Sequence, residues 1–495
     1  MTIPFTHFDG LYINGQWLPP TGGAKEAVIN PGTEAVIGHA PVGSVVDANA
    51  AMEAARQAFD NGPWPRLPQA QRTDYMRKMH AALMARADAL KALMLAEGGF
   101  TLALAHAMNF ARPMELFALA IERSLLPSTQ SLPVQTAMNP FNPGCPALIG
   151  SGIVVREPVG VVSAIKAYNA PFLINLSKIT LLAGNTMVLK PSPYTPFSAL
   201  LFGEIANEIG LPRGVLNIVT GGPDVARVLT TDDRIDMVTF TGSKGVGAAI
   251  LGQAAPTIKK VLLELGGKSA LIVRADADVQ KAALEGVFQV ATHCGQGCAL
   301  ATRHLVHNSI RPAYVAMMRA IAGQIVIGDP ADPATQLGPL IRGVARDRVE
   351  RMVQRGQDEG AKLVFGGTRP AHLSKGFFFN VTIFDDVRND MRIAQEEVFG
   401  PVASVIGFDT DEEAVRIAND SHYGLYGGIH SRDPAKAYEM ALQLRTGGVV
   451  INGGLYRQND APFGGYKRSG LGREYGAGWQ HEYTHEKAIV FPIGI

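Results

Sequence analysis

At 495 residues the chain is too long for one compact core, and two or three domains are expected. Lys plus Arg number 45 against 44 Asp plus Glu, with no long run of either sign, which argues against nucleic acid or an anionic membrane as the main partner. Apolar residues make up 47%, a globular composition, and no apolar stretch approaches the roughly 20 residues that a membrane span needs.

No basic–apolar–small leader pattern opens the chain, and three cysteines, Cys145, Cys294 and Cys298, provide no disulfide framework. A reducing, cytoplasmic setting is the default expectation. Amphipathic helices are expected from Val46 to Phe59 and from Gln71 to Ala96. A Pro-, Asn-, Ser- and Gly-rich stretch from Leu126 to Gly152 reads as loop, ending in the strand-like run from Gly152 to Arg156.

From Val159 the pattern alternates regularly. Strands are expected at Val159 to Ile165, Asn185 to Leu189, Val215 to Val219, Met237 to Phe240 and Lys260 to Leu265. Helices are expected between them at Phe172 to Leu182, Ser198 to Ile209, Asp224 to Leu229 and Lys244 to Leu251. Short β-rich runs alternating with helical ones imply parallel βαβ units and an open sheet covered on both faces. After Gly266-Gly267 the alternation resumes: strand Ala270 to Val273, helix Val279 to His293, strand Arg303 to Val306. Later strands are expected at Val402 to Phe408, Leu425 to His430 and Gly448 to Asn452, forming a second α/β domain. The tail from His481 ends in a strand-like run, Ala488 to Pro492.

Two residues carry the chemistry. Cys298, in Gly295-Gln296-Gly297-Cys298, is a thiol able to attack a carbonyl, and its flanking glycines let a backbone or cofactor approach closely. A lone cysteine among small residues is more often buried and inert. Glu264, closing an apolar strand before Gly266-Gly267, is a carboxylate able to activate water, and partial burial would raise its pKa toward the working range. By itself it would pass for a glutamate capping a backbone amide. Thiol and carboxylate together are what oxidation of an aldehyde through a thioester requires. Phe240-Thr241-Gly242-Ser243-Lys244-Gly245-Val246-Gly247 sits where a strand gives way to a helix, a place suited to a pyrophosphate, although the spacing is not G-x-G-x-x-G.

With these motifs in this order, from Leu11-Tyr12-Ile13-Asn14-Gly15 to Pro462-Phe463-Gly464-Gly465-Tyr466-Lys467, the chain resembles the aldehyde dehydrogenase superfamily over nearly its whole length. The resemblance implies an α/β fold of two open doubly wound domains plus a β oligomerisation arm. Residues 1–125 and 157–264 would form the dinucleotide-binding domain, 265–465 the catalytic domain, and 126–156 with 478–495 the arm. It places the nucleophile at Cys298, the general base at Glu264 and an oxyanion-hole amide at Asn169, in Ala167-Tyr168-Asn169-Ala170-Pro171. Asn169 and Pro171 keep the family pattern, whereas Ala167, Tyr168 and Ala170 depart from it. Coenzyme A-dependent members lack the glutamate, so Glu264 favours hydrolysis to a free acid.

The resemblance also implies NAD as cofactor, with NADP possible, held by residues of six segments. These are Ile165, Lys166 and Ala167; Lys190, Ser192 and Pro193; Gly222; Phe240, Thr241, Gly242, Ser243 and Val246; Leu265 and Gly266; and Glu397 and Phe399. Lys190 would meet the adenine ribose and Glu397 the nicotinamide ribose. Where NAD-preferring members often carry a glutamate that repels a 2′-phosphate, this chain has the uncharged Pro193. The substrate funnel would be lined by Tyr168, Ala170, Ile174, Ser177, Thr292, Gly297 and Leu455. None of these is charged, so a larger apolar aldehyde, aromatic, terpenoid or medium-chain, is expected, in a homodimer or homotetramer.

Two other readings stand beside this one. A cofactor-free thiol hydrolase would use His293 to activate Cys298, and a catalytically retired member of the fold would be a structural or binding protein. No metal is expected: His481-Glu482-Tyr483-Thr484-His485 satisfies H-E-x-x-H, but it lacks a third ligand and a helical context. Gly470-Leu471-Gly472-Arg473-Glu474-Tyr475-Gly476 resembles a phosphate loop without the strand–turn–helix setting, and is discounted.

Overall fold

The computed structural model describes residues 9–137, 144, 148–177, 180–453 and 458–494. Among these, a sheet of eight strands runs in the order Gly470–Leu471, Lys260–Glu264, Met237–Thr241, Val161–Ile165, Thr186–Lys190, Leu216–Ile218, Leu11–Ile13, Gln16–Leu18. The five strands from Lys260–Glu264 to Leu216–Ile218 are parallel, and antiparallel strands close both edges. Three of these central strands, Val161–Ile165, Thr186–Lys190 and Leu216–Ile218, are buried at every position, as expected of a sheet with helices on both faces. Strand order reverses between Val161–Ile165 and Met237–Thr241, so their carboxyl ends splay around a crevice, the usual binding place in open α/β sheets.

A second sheet of seven strands has Ser269–Val273 and Ala301–His307 at its centre, joined by the helix Val279–Ala291. Its pairs are parallel except at the edge between Lys362–Phe365 and Thr382–Asp385. The two sheets have separate apolar cores, and the chain passes between them at Gly266-Gly267. Helix Lys244–Ala254 starts at Ser243, whose hydroxyl accepts from the Val246 N–H, a side-chain cap that fixes the turn after Met237–Thr241.

Several boundaries differ from the sequence reading. The long helix expected at Gln71 to Ala96 is two, Gln69–Ala85 and Ala87–Gly98, broken at Arg86. The helix expected from Val279 to His293 ends at Ala291, and that expected from Phe172 is a helix Pro171–Ser177 with a 3₁₀ turn Thr180–Ala183. The stretch read as loop after Leu126 contains a strand, Thr129–Ala137, which pairs antiparallel with Leu148–Pro158, itself paired with Thr484–Gly494. His481 lies in a short helix and His485 in this last strand, so the two histidines share no helix face. No helix among the described residues is long and apolar enough to cross a membrane.

Candidate active site

The crevice at the strand ends leads into a cavity of about 310 Å³ lined by Cys298, Glu264 and Asn169 together. Glu264 ends its strand beside Thr241 and Gly470 and is buried, with 2% of its surface exposed. Asn169 lies in the bend before helix Pro171–Ser177, and its Nδ2 donates to the Gln296 carbonyl at 3.1 Å. That bond uses one amide hydrogen and leaves the second for a ligand.

Cys298 is half-buried and is delivered by a loop that breaks sharply from helix Val279–Ala291. His293 and Cys294 adopt left-handed φ values of 47° and 53°, strained for non-glycine residues and typical of functional loops. Gln296, 1% exposed, braces the strained turn. Its backbone and side-chain N–H groups donate to the His293 carbonyl at 3.0 and 3.1 Å, and its Oε1 accepts from Ile341 N–H at 3.0 Å. Close packing needs the glycines: a Cβ at Gly267 would lie 2.3 Å from the Cys298 carbonyl oxygen, and one at Gly295 would lie 2.1 Å from Gly400. Burial pushes the His293 imidazole down to about 3. Such a ring is too weak a base to take the proton of Cys298, which removes the main support of a thiol hydrolase.

The cavity wall also includes Ala167, Thr241, Gly242, Ser243, Leu265, Glu397 and Phe399 from the expected cofactor set. Glu397 accepts from the Gly267 N–H at 3.1 Å, and burial pushes its carboxyl up to about 7 despite that bond and the cations Arg348, Lys268 and Lys244. A Cβ at Gly266 would meet this carboxylate at 2.1 Å. Beyond the cavity, Gly222 and Gly245 face open space at the starts of helices Pro223–Thr231 and Lys244–Ala254, and Val246 is half exposed. These open helix starts fit a dinucleotide pyrophosphate. Lys190 and Ser192 are buried at a strand end, and burial lowers the Lys190 amine to about 8, while Pro193 is exposed.

Three of the expected cofactor residues turn their side chains elsewhere. Lys166 Nζ donates to the Ile174 carbonyl at 3.0 Å, while Ile165 and Phe240 are packed in the sheet's apolar core. Only their backbones are placed to meet a nucleotide.

Of the expected funnel, Tyr168, Ala170, Ile174, Thr292 and Gly297 line the cavity. Tyr168 makes edge-on contacts with Phe399 and Tyr194, so it belongs to the Phe399 side of the cavity. Ser177 closes its helix, and its side chain, like the whole of Leu455, lies outside the described residues. Reading the sequence missed a wall contributed by Phe100, Leu104, Met108 and Asn109, together with Leu173, Leu300 and Phe463. It also discounted the glycine-rich run at 470–476, which pairs with the Glu264 strand and brings Glu474 and Tyr475 into the cavity. The expectation of an uncharged funnel is corrected accordingly, since Glu474, 5% exposed, is part of its wall.

Residues 17–489 match the family model described as the aldehyde dehydrogenase family. The chain belongs to the aldehyde dehydrogenase family. Among curated members it is 39% identical to a 3-succinoylsemialdehyde-pyridine dehydrogenase of a Pseudomonas species, over 97% of this chain and 98% of that one. It is 38% identical to aminoaldehyde dehydrogenase 2 of Zea mays, over 97% and 95%, and 37% identical to a chloroplastic betaine aldehyde dehydrogenase of Beta vulgaris, over 98% and 96%. Among solved structures, a Mycobacterium tuberculosis aldehyde dehydrogenase complexed with NAD+ is 40% identical and superposes with a TM-score of 0.92, covering 99% of both chains. The aldehyde dehydrogenase match thus extends over both large sheets and into the C-terminal strand.

Proposed function

We propose that this chain oxidises an aldehyde to its carboxylic acid with NAD, through a thioester on Cys298. The observation that carries the reading is the convergence of Cys298, Asn169, Glu264, Glu397 and Phe399 on one cavity. Bound NAD supplies the hydride acceptor. Cys298 attacks the aldehyde carbon as thiolate, its proton leaving to solvent, and the resulting oxyanion is met by the free amide hydrogen of Asn169 and the Cys298 backbone N–H. Loss of hydride from that carbon leaves the thioester. Glu264 then takes a proton from the attacking water, the carbon–sulfur bond breaks, and acid and thiolate are released. Glu397 and Lys190 would hold the two riboses, and the N–H groups around Gly242 and Ser243 the pyrophosphate. The relative solved with NAD+ supports this choice of cofactor, and Pro193 favours some tolerance of NADP. Cys294 and Cys298, neither of them in a disulfide, suit a reducing compartment, the cytoplasm in the simplest case.

The substrate is read as a larger aldehyde with an apolar body, supported by the cavity's volume and by Leu104, Met108, Leu173 and Phe463 in its wall. Relatives named for aminoaldehydes, betaine aldehyde and a pyridine-bearing semialdehyde point toward an additional polar group. Following nicotinamide reduction over straight-chain, aromatic and amino-substituted aldehydes with NAD and with NADP tests the reading. Turnover with NAD and release of free acid are expected; no reduction with any aldehyde would overturn it.

A further inference from the structure

The cavity wall holds two polar side chains with hydrogen-bonding atoms that have no partner in the protein. Asn109 is 4% exposed, and its Nδ2 makes a long 3.5 Å bond to the Leu104 carbonyl while Oδ1 has no partner. His293 is 7% exposed, lies face to face with Phe100 at 3.9 Å between ring centroids, and has no partner at either ring nitrogen. These atoms are buried away from bulk solvent. Buried polar groups are nearly always paired, and orphaned ones beside a cavity mark a ligand's place. Both residues stand on irregular backbone. Asn109 sits in the π-helical turn Ala107–Ala111 and His293 on the strained turn before the nucleophile.

We infer that Asn109 and His293 recognise an uncharged hydroxyl group carried by the aldehyde substrate, a refinement that rests on reading this cavity as an aldehyde site. The donor pattern selects the group. Asn109 Oδ1 can only accept, and a neutral imidazole offers one N–H and one lone pair, while burial keeps the ring neutral. A hydroxyl donates to Asn109 and accepts from His293 at once. A carboxylate would face the Asn109 oxygen with no donor, and an ammonium group, although it could donate to the Asn109 oxygen and to the imidazole lone pair, would bury a charge against Phe100, Leu104 and Met108. The surrounding Phe100, Leu104 and Met108 would pack on the hydrocarbon between aldehyde and hydroxyl.

Isosteric aldehydes test this directly: 4-(hydroxymethyl)benzaldehyde against 4-ethylbenzaldehyde, and the corresponding 3-substituted pair, with NAD. The wild type should favour the hydroxylated member of at least one pair by about tenfold or more in kcat/KM, because its absence leaves buried polar atoms unpaired. In Asn109→Leu and in His293→Phe that ratio should fall to within about twofold of unity, with the loss carried mainly by KM. Melting temperatures report whether the variants fold, and the wild-type ratios stand without them. Reduction of NAD with equal kcat/KM within both pairs, or well-folded variants that keep the wild-type ratio, would overturn the hydroxyl inference alone. Absence of NAD reduction with every aldehyde would overturn the enzymatic reading on which it rests.

Discussion

Cys298 owes its position to a strained, braced loop, and its chemistry can be separated from cofactor binding by substitution. Cys298→Ala should abolish aldehyde oxidation while NAD affinity, measured by fluorescence titration, stays within a few-fold; substantial residual turnover would remove the nucleophile assignment. Glu264→Gln should give a first-turnover burst of reduced cofactor and then a very slow steady state, because acylation survives and deacylation does not. A variant without a burst would place Glu264 earlier in the reaction. Pro193→Glu should weaken NADP selectively by repelling its 2′-phosphate, and unchanged NADP kinetics in a folded variant would show that position 193 faces elsewhere. That Cys298, Glu264 and Asn169 line one cavity was legible because each sits in a short motif whose neighbours are dictated by close packing, as Gly267 against the Cys298 carbonyl shows. Asn109, Glu474 and Tyr475 were not, since they reach the cavity from distant segments and carry no local pattern. The direction of the Lys166 side chain was not legible, because sequence cannot show that its amine turns back to the Ile174 carbonyl.

At the scale of elements, the alternating pattern after Val159 transferred to the structure within one or two residues at most strands, because buried parallel strands are uniformly apolar and short. It failed where tertiary contacts overrode local preference. Thr129–Ala137 is exposed at nearly every position and polar at five of nine, so only its pairing with Leu148–Pro158 makes it a strand. One element contact has a pH signature. Glu97, 0% exposed, accepts from the Phe197 and Ser198 N–H groups at 3.0 and 3.1 Å and so caps helix Phe197–Glu208. Burial pushes its carboxyl from 4.5 up to about 7, against those hydrogen bonds and Arg342. A carboxyl pKa raised in the fold stabilises fully below about pH 4.5, and that contribution is lost as pH rises through about 7. The melting-temperature advantage of wild type over Glu97→Gln should therefore shrink between pH 5 and 8. An advantage that stayed flat or grew would mean that the two N–H donors outweigh burial.

For the whole molecule, the third sheet is the part that one chain leaves unfinished. Thr484–Gly494, Leu148–Pro158 and Thr129–Ala137 form a three-stranded antiparallel ribbon whose outer strands each have an unpaired edge among the described residues. Val490 is 73% and Val134 63% exposed, and Ile489 and Phe491 are each 44% exposed. Open strand edges that expose apolar side chains are templates for strand addition, and natural proteins cover or charge them. A second copy of the chain is the simplest cover, because a two-fold axis presents the same edge and face to their own complement. The intact protein should therefore elute as a dimer or tetramer in size-exclusion chromatography with light scattering. A chain ending at Tyr483 should dissociate and melt at lower temperature, but it also strips Leu148–Pro158 of its partner strand. Val134→Lys combined with Val490→Lys keeps every backbone pair and places charge at both exposed positions, so it should lower the oligomeric state with little loss of secondary structure by circular dichroism. A wild type that ran as a monomer at micromolar concentration would show that the ribbon is not a surface for self-association.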